Sequence, residues 1–314
     1  MLKKSILLLL FVFSANIYAN DGAFYFKGNQ LVPTTEIDIS VRKEILTLKK
    51  IRNQFIEVTV YYEFYNPGNA KEIIVGFEAF QPEGDVNGTP KNGKHPYMRD
   101  FSVELNNNIL PYQVAYVQDS TYAKNGVIKG KNLSDFESIY DFFYVYHFKA
   151  KFKKGLNIIK HTYNYDVSGG IDFNYDFEYV LTAANRWGNN QIDDFTLIID
   201  NGEFETFNIN KSFFKNKSDW LINGIGKMED KTVYEQETVN FHIQKGNIIF
   251  KKKNFKPSGE LFVFSQNSFS QDAIPFSYYI QDRIATPKTD FQKKTFGAAI
   301  IELGPAILLA CRYL

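Results

Sequence analysis

Apolar and polar residues alternate with a period of two along most of this chain, the pattern of half-buried β-strands. In FIEVTVYYEFYNPG, Ile56, Val58, Val60, Tyr62 and Phe64 share one face, while Glu57, Thr59, Tyr61 and Glu63 share the other. Asn66-Pro67-Gly68 ends that strand, KEIIVGFEAF reads as its partner, and EIDISVR ahead of it alternates in the same way. DFSVELNNNILPYQVAYV predicts two strands joined by an amide-rich turn at Asn106 to Asn108. Phe142, Tyr144, Tyr146, Phe148, Ala150 and Phe152 form one face of a further strand. A turn at Lys153-Lys154-Gly155 leads to a return strand showing Ile159, His161, Tyr163 and Tyr165. FHIQKGNIIFKKK predicts a hairpin turning at Lys245-Gly246-Asn247, and GELFVFSQ predicts one more strand. Helical signals are few: SDFESIYDF with Ser134 as N-cap and Glu137 three residues on, and SDWLINGIG with Ser218 as cap and Gly224 as stop. The expected fold is all-β, built of antiparallel β-sandwich units with few short helices.

The expected division is a leader over 1–19, one β-sandwich-like unit over 20–125, a second over 126–294, and an anomalous tail over 295–314. The seam falls in the polar stretch Asp119 to Ser138, whereas Gln81 to Met98, rich in Gly and Pro, reads as a large loop within a sheet. The leader has Lys3 and Lys4, an apolar run from Ser5 to Phe13 and a small residue at Ala19, the pattern of a secretory signal peptide cut after Ala19. Its apolar run is shorter than the roughly 20 residues that span a bilayer as a helix. The expected location is therefore the periplasm, outer envelope or extracellular space.

Composition narrows the chemistry. Cys311 is the single cysteine, so no intramolecular disulfide forms and stability has to come from burial. Thirty Phe and twenty Tyr make that burial aromatic. The net charge of +1 lacks the basic footprint of a nucleic-acid binder. The densest basic run, Phe250 to Lys256, reads as a solvated strand edge. His95, His147, His161 and His242 show no ligand spacing, although His147 and His161 could face each other across the expected 142–165 hairpin as a two-ligand half-site. Asp85 to Gly88 lacks the alternating acids of a calcium loop, and Gly224 to Lys227 lacks the spacing of a P-loop. No nucleophile carries a flanking signature. Asp172, Asp176 and Glu178 alternate as a carbohydrate enzyme's acids could, but also as any solvated strand face does. No cofactor and no metal is expected.

The stretch most like a site is YVLTAANRWGNNQIDDFTLIID, Tyr179 to Asp200. It reads as a corner: Tyr179, Leu181 and Thr182 finish one strand, Trp187 folds over the sandwich end, and Ile192, Phe195, Leu197 and Ile199 resume the apolar pattern. The alternative is a ligand ledge of aromatics and amides, with Arg186, Trp187, Asn189 and Trp220 as candidate ligand-binding residues.

These blocks, together with GTPKNGKHPYMRDFSVELN and the strand ending in Asn66-Pro67-Gly68, resemble exported bacterial β-rich proteins built on a domain of unknown function that often precedes a YARHG domain. The resemblance covers Gly22 to Lys294, brings no catalytic residues with it, and implies an uncharacterised envelope protein. The chain departs from that pattern after Lys294. Phe296 to Leu314 holds four Ala in nineteen residues, against ten in the 276 residues from Asn20 to Thr295. A shifted reading frame explains so abrupt a change; the rival is a membrane tail, in which Glu302 would sit mid-segment at high cost.

The expected function is a non-enzymatic binding or interaction module, its partner an envelope protein or glycan, with no nucleic acid and with membrane contact only through the tail. The alternatives are a carbohydrate-active or other hydrolase with a loop-assembled site, and a structural envelope component held by the tail.

Overall fold

The computed structural model describes residues 21–27, 30–33, 36–52, 54–79, 87–118, 142–167, 173–211, 216–233 and 236–266. The expected leader, the 119–138 seam, the Ser134 helix, Asp172 and the 295–314 tail lie outside the described residues. So do Asp85 and Val86 of the Asp85 to Gly88 stretch.

The fold is all-β, as the alternation predicts, with its sheets curled into a half-barrel. Among the described residues, one sheet has five strands in the order β2 (Gln30–Pro33), β1 (Gly22–Lys27), β5 (Lys71–Ala79), β9 (Phe142–Phe152) and β8 (Gln113–Gln118). The other has eleven, ordered β11 (Phe173–Tyr179), β16 (Leu261–Gln266), β13 (Glu205–Asn210), β15 (Gln236–Phe255), β12 (Ile192–Asp200), β3 (Ser40–Ile51), β4 (Phe55–Asn66), β10 (Gly155–Asp166), β6 (Met98–Leu105) and β7 (Asn108–Ile109). The eleventh, β14 (Trp220–Val233), adds to β15.

Strands from both sides of residue 125 interleave in each sheet: β9 lies between β5 and β8, and β10 lies between β4 and β6. Most pairs are antiparallel, but β12 runs parallel to β3, opposing Ile192 to Val41 and Ile199 to Leu48.

The faces follow the alternation. Ile56, Val58, Val60, Tyr62 and Phe64 are all buried, as are Tyr144, Tyr146, Phe148, Ala150 and Phe152. Both sets enter one core, since each sheet turns its apolar face toward the other. Rings dominate that core: Phe101 lies 4.7 Å from Tyr146 and stacks on His161, and Phe77 packs on Tyr163.

Four local expectations are corrected. The link through Asn66-Pro67-Gly68 does not return the chain beside β4; it carries it to the other sheet, where β5 pairs with β1 and β9. The Lys153-Lys154-Gly155 turn does the same between β9 and β10, which never pair. These are corners of a sandwich, and the apolar faces coincide because both strands face the same core.

Lys245-Gly246-Asn247 is not a turn. β15 runs on through it, with Gly246 (φ 103°) opposite Gly224 (φ 146°) of β14. A Cβ on either glycine would lie 2.1 Å from a carbonyl oxygen of the facing strand, so the close approach requires glycine. SDWLINGIG is likewise a strand: a 3-10 turn, Lys217–Asp219, is capped by the Asn216 side chain and gives way to β14 at Trp220.

Candidate functional site

The corner from Tyr179 to Ile192 forms where β11 ends and the chain crosses to β12. A 3-10 turn over Thr182–Arg186 makes the crossing. Glu260 holds its start, accepting the Leu181 and Thr182 backbone N–H groups at 2.6 and 3.1 Å, and the Thr182 hydroxyl. Burial pushes the Glu260 carboxyl up to about 7, and the nearby Glu78 charge adds to this, while those hydrogen bonds oppose it.

Trp187 is 1 % exposed. Its ring packs 4.6 Å from Phe64 and 6.0 Å from Phe152, and its indole N–H donates to the Asp21 carbonyl at 2.7 Å. The corner reading of this tryptophan matches its placement. Asn189 imitates a neighbouring strand: its side chain accepts from the Val41 N–H at 3.3 Å and donates to the Val41 carbonyl at 3.1 Å, beside the bulge between Val41 and Lys43. Arg186 pairs with Glu78 and lies 5.1 Å over the Phe24 ring.

The four candidate ledge residues fall in two places. Trp220 stands apart on β14, 5 % exposed and 4.9 Å from Phe250, so neither indole offers an open face to a sugar. Arg186, Trp187 and Asn189 come together, but as ties between the corner and the two sheets. The two-histidine half-site is corrected too: His147 opposes Gly76 and Gln113 in the small sheet, while His161 opposes Val60 and Val103 in the large one. Burial lowers the His147 pKa. Among the described residues no group of three or more His, Cys, Asp or Glu side chains is placed to hold a metal ion. In the basic run, Lys252 pairs with Asp219 at 2.6 Å and Lys253 with Asp194 at 2.8 Å.

Beneath the corner lies a set of buried acids. The Asp21 carboxylate meets His161, 0 % exposed. Glu44 accepts from the Tyr62 and Tyr179 hydroxyls at 3.4 and 3.3 Å. Burial, with the Glu44 charge beside them, pushes both phenols well above their usual pKa. Lys50 pairs with Glu205 at 2.8 Å and lies 5.0 Å over the Tyr175 ring. Glu44 and Lys50 were discoverable: they alternate with Leu46 and Leu48 on the inward face of β3, where a charge is out of place unless it is paired.

One notch opens next to this set, between the end of β5 and β11. Phe77, Glu78, Tyr163, Tyr165, Asp176 and Glu178 line it, around a cavity of about 30 Å³. That is space for a group the size of a water or an ammonium. Along Phe77–Ala79, β5 pairs β9, and β11 pairs β16 alone among the described strands, so the notch runs beside two strand edges.

No family model matches the chain, and no curated protein matches it. Among solved structures, it is similar to a candidate nutrient-binding protein from Legionella pneumophila, at 16% identity over 79% of this chain and 73% of that one, with a TM-score of 0.46. An M1 zinc metallopeptidase from Deinococcus radiodurans matches at 8% identity over 69% of this chain and 43% of its own, with a TM-score of 0.27. A candidate protease from Parabacteroides distasonis matches at 10% identity over 82% of this chain and 45% of its own, also at 0.27. The chain thus spans less than half the length of these two enzymes.

Proposed function

We propose that this is an exported, non-catalytic binding module of the cell envelope, and that its notch takes a cationic group carried by an envelope protein or glycan. The observation behind this reading is the lining: Asp176 and Glu178, with the Arg186-paired Glu78 behind them, beside the rings of Tyr163, Tyr165 and Phe77, around space for one small polar group. Carboxylates and ring faces attract the same ligand, an ammonium or guanidinium. The polar groups of the corner itself serve the scaffold: Glu260 caps a turn, Asn189 continues a sheet, and Trp187 fills the core.

Calorimetry with a lysine-containing tetrapeptide, against the same peptide with norleucine, tests the reading. The lysine peptide should bind and the norleucine peptide should not, and Asp176→Asn combined with Glu178→Gln should weaken binding about tenfold or more, the scale of a lost charge-assisted contact. Equal behaviour of the two peptides refutes it. A hydrolase is the second reading: burial pushes the Glu260 carboxyl up to about 7, the range a general acid works in, at the loop-built corner beside Thr182. Turnover of a glycan substrate that disappears in Glu260→Gln, while the fold survives, would establish that reading instead.

A further inference from the structure

We propose that β14 carries a docking edge for a second copy of this chain, the two β14 strands pairing antiparallel about a two-fold axis through Asn223. Among the described residues β14 pairs with β15 alone, so no described strand takes the backbone N–H and C=O groups along its other edge. The two halves of that edge are unlike. Lys227 to Val233 carries four charges in seven residues, the usual guard against edge-to-edge pairing. Trp220 to Gly226, WLINGIG, carries none. Leu221 and Ile225 stand out from it, 58 % and 59 % exposed, on the face that also holds Asn223. An uncharged edge with two exposed branched side chains is shaped to receive another strand.

The strand is complementary to itself in one register. A two-fold axis normal to the sheet sets each residue opposite the one equally far beyond the axis in the second copy, and it keeps the outward faces together. With Asn223 on the axis, Leu221 meets Ile225 of the second copy and Ile225 meets its Leu221, so one pairing covers both exposed side chains. On the other face Ile222 falls opposite Gly224 and Trp220 opposite Gly226, a large side chain against none. Just past this ladder, the 3-10 turn before β14 brings Asp219 beside Lys227 and Lys217 beside Glu229. These opposite charges add to the contacts that Lys217, Asp219 and Glu229 make in their own chain. Moving the axis one residue either way undoes the match: through Ile222 it sets Lys217 beside Lys227, and through Gly224 it sets Asp219 beside Glu229. Like charges therefore repel the registers on either side.

A ladder of seven residues runs about 24 Å. It buries less than the roughly 1,200 Å² at which tight complexes begin, so the dimer is weak, with a dissociation constant of about 1–100 µM. The proposal is independent of the notch, which lies between β5 and β11.

Sedimentation velocity of the full chain over about 1–300 µM should show a monomer–dimer equilibrium. Leu221→Glu and Ile225→Lys each set a charge against an apolar side chain at both crossings, so each should weaken the dimer about tenfold or more. An equal mixture of the two variants should restore it: one crossing then opposes the two introduced charges, and the other keeps Leu221 against Ile225. Both positions are exposed, so at about 1 µM the variants should melt as the parent does. Asn223→Cys in a chain that also carries Cys311→Ser should give a disulfide-linked dimer under mild oxidation, because position 223 faces its own copy across the axis. A monomer at every concentration overturns the proposal. So does a dimer that both charged variants leave intact, a mixture that stays monomeric, or a chain that does not cross-link through position 223.

Discussion

Trp187→Ala removes the side chain that ties the corner to both sheets. The ring is 1 % exposed and sits between Phe64 of β4 and Phe152 of β9, so the neighbouring rings are held by their own strands and cannot collapse into the gap. Truncating a buried tryptophan costs about 3–5 kcal/mol under those conditions. The Asp21 carbonyl also loses the indole donor at 2.7 Å, which adds about 1 kcal/mol or more for a buried acceptor. The expected total is about 5 kcal/mol, or a fall in Tm of about 10–20 °C for a domain of this size. Trp187→Phe separates the two parts: it keeps most of the packing and drops the hydrogen bond, so it should cost about 1–2 kcal/mol. Urea unfolding followed by far-UV circular dichroism gives both values, provided the slope m is unchanged. If alanine at this position costs less than about 1 kcal/mol, the ring is not the tie described here.

Two further outcomes follow from the fold. The Glu260 carboxyl is raised to about 7 in the folded chain, so the stability it contributes is fully present below about 4.5 and is lost as the pH rises through 7. Melting curves from pH 4.5 to 8 should show a decline worth at most about 3 kcal/mol that flattens in Glu260→Gln; an equal decline in both chains refutes the assignment. Gly224→Ala forces a Cβ to within 2.1 Å of the Lys245 carbonyl oxygen at a φ of 146°. Strain of this kind costs about 2 kcal/mol or more, so hydrogen exchange should quicken along β14 and its partner stretch of β15 while β4 stays protected.

Strand positions and faces were legible because alternation is a local property: the inward sets of β4, β9 and β10 could be read from their own residues. Pairing was not, because it is set elsewhere. Asn66-Pro67-Gly68 and Lys153-Lys154-Gly155 are turn sequences whether the chain folds back in the same sheet or crosses to the other. Gly246 met the requirement for a positive φ, but a turn and a glycine pair inside two long strands make the same local demand. At the corner, the burial of Trp187 could be foreseen from the apolar runs on either side. Its partner Asp21 lies 166 residues away, and no local pattern links them. The same holds for Glu260, which caps the Thr182 turn from 78 residues further along. The notch joins β5 to β11, so the acids at 176 and 178 could be seen as a pattern, but not as neighbours of Glu78.

The parallel contact between β3 and β12 sets a timetable for synthesis. Val41 meets Ile192 and Leu48 meets Ile199, so the seam joining the first strands of the large sheet to its later ones waits on about 150 residues of intervening chain. A ribosome adding about 5–20 residues per second leaves the apolar edge of β3 open for roughly 10–30 seconds before its neighbour exists. In that interval the edge is open to pairing with other molecules, and slowing elongation between residues 50 and 190 should increase aggregation of the chain more than slowing it later.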